Sequence, residues 1–388
     1  MKLLYVSTHQ ITNLIPLFRS VSKNNIDFKV IYWQNLSPEY DCKYYEKKIN
    51  YGMDMLSGYR KHFLCNKIRY VVNHSFLFKF LSLFRLIKFL INEDFDQIIF
   101  HHSYLYTHGF CAIVAKLMGK KTIARSMSYN LGNRNIFKKI LRFVYYRFFN
   151  LFYDNFWSIH KLNEEFFKYF GANENNIHLI HHCQGDYKNL INQNNNLLLS
   201  KVNFCHRYHL PHDKKFILFA GIFIERKNPK LLLECFIKAD IPDDWILLMV
   251  GDGKFANEMK FLVKEEKIDN VKFMGFRDQK ELIGFFSNSE ILVAPSNAGD
   301  THCNVAAEAI QFECAIIASN MVGLYPEFIK EKVGLIFDIN KQEELIKHLK
   351  KMTSDINFLS ECQQNAKEYG KKKTPEFSGD QIKKYFDE

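Results

Sequence analysis

The chain has 388 residues, which is enough for two domains of ordinary size. Its nine cysteines are odd in number, scattered and without a C-x-x-C pair, which argues against a disulfide framework or a structural zinc site and favours a reducing compartment. The apolar run at the amino terminus is too short for a signal peptide, and no run of about 18 apolar residues predicts a membrane-spanning helix.

The charge is unevenly distributed along the chain. Residues 1–200 carry 26 Lys and Arg against 13 Asp and Glu, whereas residues 201–388 carry 27 against 29. This asymmetry predicts that only the first half meets an anionic partner.

Strand-like and helix-like segments alternate in the first half of the chain. The predicted strands are 2–7, 28–33, 97–100, 121–124, 155–159 and 177–181, and the predicted helices are 14–23, 76–92, 109–118, 135–152 and 164–170. Residues 35–75 show no clear pattern. The alternation predicts an α/β domain with a parallel, doubly wound sheet.

A polar stretch at 184–212, which contains an almost continuous Asn run, predicts the linker, and the α/β pattern restarts after it. The predicted strands are then 216–220, 245–250, 271–274, 290–294 and 315–318, and the predicted helices are 229–239, 258–266, 279–287, 305–312 and 343–352. The sequence thus predicts domains at 1–200 and 201–370. Residues 371–388 are expected to form a terminal helix that could cross back to the first domain.

The most informative stretch is the polar loop that follows the apolar strand 290–294. Such a loop lies at the carboxyl end of a parallel strand and the amino end of a helix, where α/β proteins bind phosphorylated ligands. Asp300 and Glu308 lie eight residues apart in it. Acids repel a phosphate, so these two are expected to accept hydrogen bonds from sugar or ribose hydroxyls. The alternative is a capped helix whose Glu308 is merely solvated.

Five segments of the second half, in the same order, resemble those of family 4 glycosyltransferases. They are FAGIFIERKNP (219–229), VGDG (250–253), VKFMGF (271–276), DTHCNVAAE (300–308) and GLYPE (323–327). The resemblance implies the GT-B fold, in which two Rossmann-like doubly wound domains face each other across a cleft. It also implies that the basic domain 1–200 binds the acceptor and that 201–370 binds the nucleotide sugar.

The resemblance implies roles for residues of the second domain. Arg226, Lys227 and Asp300 are expected to be catalytic, the two cations by stabilising the departing diphosphate. The expected donor-binding residues are Gly221, Gly251, Phe276, Arg277, Thr301, His302, Cys303, Asn304, Val305 and Glu308. Two positions depart from the family: Asp300 replaces the usual Glu, and Ile222 replaces a frequent Arg or Lys.

Candidate acceptor-side residues of the first domain follow predicted strands. They are Thr8, His9, Asn13, His102 and Arg125. A histidine at such a place is more often simply exposed, and Arg125 could instead belong to a structural ion pair. An arginine there could bind an acceptor phosphate or the donor sugar.

The expected activity is that of a retaining, hexosyl-type glycosyltransferase that needs no cofactor and no metal. The expected donor is a nucleoside diphosphate sugar, with UDP favoured over GDP. The expected acceptor is a glycan, lipid-linked, in bacterial surface-glycan synthesis such as that of lipopolysaccharide, O-antigen or capsule. The alternative is a catalytically degenerate protein that binds a nucleotide sugar or a glycan, as Ile222 allows.

Helices 76–92 and 135–152 are basic and rich in aromatic residues. They are expected to lie on an anionic membrane, which would place the protein in the cytoplasm, peripheral on the inner face of the cytoplasmic membrane. The alternative is two core helices whose Lys and Arg side chains reach the solvent. No nucleic-acid recognition motif is present, so nucleic acid is not expected as a partner.

Overall fold

The computed structural model describes residues 1–37, 39–42, 47–50, 54–73, 75–129 and 135–387. The chain divides into two compact units. The first comprises Met1–Asp41, Met53–Cys183 and Pro375–Glu388, and the second comprises Cys42–Gly52 and Gln184–Thr374.

Strands and helices alternate through residues 1–183. The strands are β1 (Lys2–Ser7), β2 (Asp27–Tyr32), β3 (Asn35–Leu36), β4 (Glu39–Cys42), β5 (Lys47–Asn50), β6 (Arg60–Phe63), β7 (Ile68–Arg69), β8 (Gln97–His101), β9 (Lys121–Arg125), β10 (Asn155–Ser158) and β11 (Ile177–Leu179). The helices are α1 (Ile15–Lys23), α2 (Phe76–Asn92), α3 (Tyr106–Leu117), α4 (Ile136–Asn150) and α5 (Lys161–Tyr169).

The main sheet of the first unit is parallel, with strand order β11-β10-β9-β8-β1-β2-β6. The side chains of β1 alternate between two apolar cores: Leu4 and Val6 face one, and Leu3 and Tyr5 face the other. The chain moves outward from β1 on one side through β2 and on the other through β8. The carboxyl ends of β1 and β8 therefore form the switch point at which open α/β sheets bind ligands.

The second unit repeats this architecture. Its strands are β12 (Lys215–Ala220), β13 (Trp245–Val250), β14 (Val271–Gly275), β15 (Ile291–Ala294), β16 (Ala315–Ser319) and β17 (Gly334–Phe337). Its helices are α6 (Tyr187–Gln193), α7 (Lys201–Tyr208), α8 (Pro229–Lys238), α9 (Ala256–Glu265), α10 (Gln279–Ser287), α11 (Asn304–Ile310), α12 (Tyr325–Lys330), α13 (Gln342–Ser354) and α14 (Ile356–Gly370). The sheet is parallel, with order β14-β13-β12-β15-β16-β17, so its switch point lies between β12 and β15.

The expected α/β class, with two doubly wound units, is confirmed. The division of the chain differs from the expected one, because residues 184–200 pack on the second unit. Their Tyr187, Leu190 and Leu197 lie in or against one of its apolar cores, which the polar composition of the segment conceals. Helix α15 (Pro375–Asp387) packs on α1 in the first unit.

Candidate functional site

The candidate donor residues gather at the carboxyl edge of the second unit's sheet. Gly221 follows β12, Gly251 follows β13, and Phe276 and Arg277 follow β14. The polar loop that contains Asp300 follows β15. Parallel strands bring these loops to one edge although Gly221 and Asp300 lie 79 positions apart in sequence, which is the arrangement expected for a ligand site at the β12/β15 switch point.

The basic turn after β12 is held in a defined conformation. Glu225–Lys227 form one turn of 3₁₀ helix, Asn228 adopts a left-handed conformation (φ 51°), and Pro229 begins α8. A proline is favourable at this position because its fixed φ fits the first helical turn and the missing N–H is not needed there. The backbone oxygen of Arg226 accepts a 3.1 Å hydrogen bond from the backbone N–H of Asn297, which connects the turn to the loop after β15.

Asp300 is buried and lies at the centre of an ion cluster whose two cations are partly exposed. Its carboxylate accepts from the Lys227 Nζ at 2.5 Å and from the Ser296 hydroxyl at 3.1 Å, and the Arg226 Nη1 lies 3.8 Å away. Burial opposes ionisation of Asp300, but the charge and hydrogen bond of Lys227, aided by Arg226 and Ser296, outweigh it and lower the pKa of the carboxyl below its ordinary value. The two cations and the acid therefore form one charged unit at neutral pH.

The backbone around Asp300 is anchored on both sides. Its N–H donates to the Met321 oxygen at 3.2 Å, and its own carbonyl accepts from the Gly323 N–H at 2.8 Å. Cys303, which is buried, adopts a left-handed conformation (φ 59°) at the N-cap of α11. These contacts fix the segment between β15 and α11, so the carboxylate of Asp300 is preorganised rather than carried by a loose loop.

Glu308 is buried inside α11 rather than solvated. Burial raises the pKa of its carboxyl to about 7, and the Tyr187 hydroxyl and the charge of Lys227 act in the opposite direction. A carboxyl held in this way is a strong acceptor once ionised and costs free energy to keep in the folded chain. The alternative of a solvated Glu308 is therefore wrong.

The glycine loops approach each other too closely for side chains. A Cβ at Gly251 (φ 139°) would lie 1.8 Å from the Gly221 carbonyl oxygen, and the Gly251 N–H donates to the Gly275 oxygen at 2.8 Å. Only glycine fits this position, which brings the ends of β12, β13 and β14 together. Ile222 stands next to this contact and leaves its position without a cation.

The remaining expected donor residues lie in the same region with different surroundings. The Arg277 Nη1 pairs with Glu281 at 3.0 Å, and its guanidinium lies 5.1 Å from the ring centre of Tyr208. The Asn304 Oδ1 accepts from the Gln184 side chain at 3.1 Å. His302 is buried, and Phe276, Thr301 and Val305 are partly exposed.

The expected acceptor-side residues gather at the carboxyl edge of the first unit's sheet. The Thr8 Oγ1 lies 2.9 Å from the His9 Nδ1, and the Asn13 oxygen faces the Cys183 thiol at 3.7 Å. His102 has a left-handed backbone (φ 58°) and is partly exposed. Arg125 is fully buried, and its guanidinium has no hydrogen-bond partner among the described residues. Among the described residues, Arg125 therefore forms no ion pair.

Sequence reasoning missed two residues of the second unit's site. Ser296 bonds to Asp300, and Tyr187 lies beside Glu308. Ser296 could have been identified from the sequence, because it precedes Asp300 in the same loop. Tyr187 carried no signal, because it stands in a segment that resembles a linker. Within the described ranges, no group of three or more His, Cys, Asp and Glu side chains is arranged to hold a metal ion.

The sequence of the second unit and the fold of the chain resemble those of known proteins. Residues 205–372 match the family model for glycosyl transferases group 1. The whole chain superimposes on the Anabaena protein HepE in complex with UDP, with a TM-score of 0.73, 13% identity and full coverage of both chains. The chain thus has the GT-B fold of glycosyltransferase structures, and its second unit carries the group 1 sequence pattern.

Two curated relatives match over part of their sequences. An uncharacterized 41.2 kDa protein in the cps region of Klebsiella pneumoniae is 26% identical over 45% of this chain and 46% of its own length. A Campylobacter jejuni transferase that adds α-1,4-N-acetyl-D-galactosamine to a diphospho-undecaprenol-linked acceptor is 26% identical over 39% of this chain and 42% of its own. The matched part spans less than half the length of these relatives.

Proposed function

We propose that the protein is a retaining glycosyltransferase that moves a hexosyl group from a UDP-sugar to a lipid-linked saccharide in bacterial surface-glycan synthesis. The observation that carries the proposal is the cluster of Lys227 and Arg226 around the buried Asp300 at the switch point, with the buried Glu308 on the helix that follows. Cations and hydroxyl acceptors in one preorganised site suit a ligand that has both a diphosphate and sugar rings.

The cations would hold the diphosphate of the donor. Asp300 occupies one of the three N–H donors of Lys227, and the guanidinium of Arg226 presents several more at a longer distance from that acid. Diphosphate oxygens can therefore bind both cations while Asp300 keeps them in position. The ionised Glu308 would accept from the ribose hydroxyls, which do not repel it as phosphate does.

The proposed transfer needs positioning and charge stabilisation. The bond between the sugar C1 and the diphosphate oxygen breaks, and a bond from the acceptor oxygen to C1 forms on the same face. The acceptor proton passes to the departing diphosphate oxygen, so no protein nucleophile takes part. Lys227 and Arg226 would stabilise the negative charge that grows on the leaving group, and a water-excluded site strengthens that effect.

The outer faces of α2 and α4 support a membrane-bound acceptor. Neither helix contains an acidic residue. Their large exposed apolar residues are Phe76, Leu77, Phe80, Leu81, Phe84, Ile91, Ile136, Phe137, Ile140, Leu141, Val144 and Phe148. Helix α3 packs on α2, and its Phe110 ring contacts Phe149 of α4, so the three helices cover one side of the sheet. We call the outer surface of α2 and α4 the basic apolar face.

The basic apolar face has the chemistry of an interfacial membrane surface, in which apolar residues enter the lipid and cations meet anionic headgroups. Among the described residues, no helix is both long and apolar enough to cross a bilayer. The composition of the basic apolar face leads us to propose peripheral attachment at the cytoplasmic face of the membrane, where a lipid-linked acceptor would be presented. The relative that acts on an undecaprenol-linked acceptor is consistent with this proposal.

The experiment that tests the activity is donor turnover. Purified protein is incubated with a panel of UDP-hexoses, and UDP release is measured for the wild type and for Glu308→Ala. We expect slow hydrolysis of one donor by the wild type and a large loss in the variant. When an acceptor is supplied, NMR of the product should show the anomeric configuration of the donor, and an inverted product would contradict the retaining mechanism.

The second candidate is a protein that binds a nucleotide sugar without transferring it. Ile222 favours this candidate, because it stands where relatives often have a cation beside the phosphates. UDP binding together with the absence of turnover for every UDP-hexose, with and without lipid-linked acceptor, would support the binder. Restoration of turnover by Ile222→Arg would identify the missing cation as the cause.

A further inference from the structure

The carboxyl edge of the first unit's sheet contains a buried cation that has no counterion among the described residues. Arg125, the last residue of β9, is completely buried. Its Nε, Nη1 and Nη2 have no hydrogen-bond partner among the described residues, and no described carboxylate lies within ion-pair distance of it. Buried arginines are normally paired, because an isolated buried charge is strongly unfavourable.

The described groups that the structure places beside Arg125 include His101 and Tyr5. In the β8–β9 ladder Arg125 is paired with His101, whose Nε2 also has no partner in the described chain and whose Nδ1 lies 3.0 Å from the Tyr5 hydroxyl. Burial lowers the pKa of His101 well below its ordinary value, and the nearby His102, Arg125, His182 and His108 lower it further. All the charged neighbours of His101 are thus potential cations.

The cluster extends from the interior towards the surface. The rings of His101 and His102 lie 4.2 Å apart between centroids, and His102 is partly exposed. Thr8 and His9, at the end of β1, stand at the same edge. Donor groups thus run from Arg125 towards the switch point of the first unit, and the charges that shift the pKa of His101 come from basic side chains.

We propose that this cluster, with Arg125 as its anchor, binds an oxyanion carried by the acceptor, either the carboxylate of an acidic sugar or a phosphate. The inference rests on the proposed function, because it names a chemical group of the acceptor. Guanidinium presents a planar fork that matches the oxygens of both groups. A bound oxyanion would supply the counterion that the described chain does not provide.

The proposal makes two linked predictions about Arg125. Removal of the guanidinium in Arg125→Met should leave the melting temperature unchanged or raise it, because a buried charge without a counterion is lost. The same change should also weaken oxyanion binding. A purely structural arginine would behave in the opposite way, since its removal would lower the melting temperature.

The test uses the full chain and simple probes. Melting temperatures are measured with glucuronate, with glucose 1-phosphate, and with glucose as the neutral control. We expect one of the two anions to raise the melting temperature of the wild type and glucose to leave it unchanged. The Arg125→Met variant should bind that anion at least about tenfold more weakly, as expected for a lost charge-assisted hydrogen bond. The anion that acts identifies the source as carboxylate or phosphate.

Two further variants complete the design. Arg125→Lys keeps the charge but loses the planar fork, so it should retain a weakened shift. Arg60→Gln removes one exposed cation of the same unit, which pairs with Asp27, and should respond as the wild type does. UDP binding, measured in the same samples, reports on the second unit and separates a failure here from a failure of the proposed function. No shift with either anion, or equal shifts in Arg125→Met and wild type, would overturn the proposal.

Discussion

Glu308→Gln should weaken UDP binding in a manner that depends on pH. The folded protein holds the Glu308 carboxyl at a pKa of about 7, against 4.5 for an ordinary glutamate. The fraction ionised should rise from about 10% at pH 6 to about 90% at pH 8. If the ribose hydroxyls need the ionised form, wild-type affinity should increase several-fold across this range and binding near neutral pH should release a proton.

The variant should lose both effects. At pH 8 the missing charge-assisted hydrogen bond should weaken UDP binding by about 1.5–3 kcal/mol, which is tenfold or more. The terminal phosphate of UDP also titrates near pH 6, so the difference between wild type and variant is the informative quantity. Titration calorimetry at pH 6, 7 and 8, in buffers of different ionisation enthalpy, measures affinity and proton release together.

The stability of the wild-type protein should decrease as the pH rises, whereas its affinity for UDP should increase. Because the folded-state pKa of Glu308 is raised, folding holds its proton more tightly, and the cost of ionising it grows as the pH rises from 4.5 to about 7. The shift corresponds to about 3 kcal/mol above pH 7, which Glu308→Gln should recover in urea unfolding at pH 8. The matched control is Glu258→Gln, at an exposed carboxyl paired with Lys230. A variant that binds UDP with the wild-type pH profile would refute this account of Glu308.

Three other perturbations follow from particular contacts. Lys227→Met should raise the pKa of Asp300, lower the free energy of unfolding by about 3 kcal/mol and weaken UDP binding at least about tenfold. Lys230→Met, which loses a more exposed ion pair, should have none of these three effects. Gly251→Ala should lower the free energy of unfolding in urea by on the order of 3 kcal/mol, because the new Cβ would meet the Gly221 oxygen. Gly119→Ala, whose Cβ would enter open space, should lower it by about 1 kcal/mol, and equal losses would contradict the close contact at Gly251. Val144→Ser on the basic apolar face should lower pelleting with anionic vesicles up to about tenfold, whereas Val202→Ser, at a similarly exposed position of the second unit, should leave it unchanged. Equal recovery of the wild type with neutral and anionic vesicles, or no decrease in pelleting at high salt, would argue against membrane attachment.

The sequence predicted the second unit best because its signals are local. The strands 216–220 and 245–250 are apolar runs followed by glycine, so the ends of both strands are visible in the sequence. Pro229 in the same way marks the start of a helix. Asp300 and Glu308 were found by their spacing after a buried strand. The contact of Asp300 with Lys227 joins residues 73 positions apart, and only the sheet topology brings them together.

The first unit was harder to predict because its short strands lack a local pattern. β6 (Arg60–Phe63) has a polar sequence and alternating exposure, as an edge strand allows, and it was missed. Residues 184–200 look polar but bury Tyr187 against the second unit's core. That the described chain offers Arg125 no counterion could not be predicted at all, because an unmatched charge is visible only once the neighbours of the side chain are known.

The most direct test of the central claim is nucleotide binding to the second unit's site. Melting temperatures are measured for wild type and Glu308→Gln with UDP, GDP, ADP and CMP. UDP should raise the melting temperature of the wild type, and the shift should be much smaller in the variant at pH 8. No shift with any nucleoside diphosphate, or equal shifts in the two proteins, would contradict the assignment of this site to a nucleotide-sugar donor.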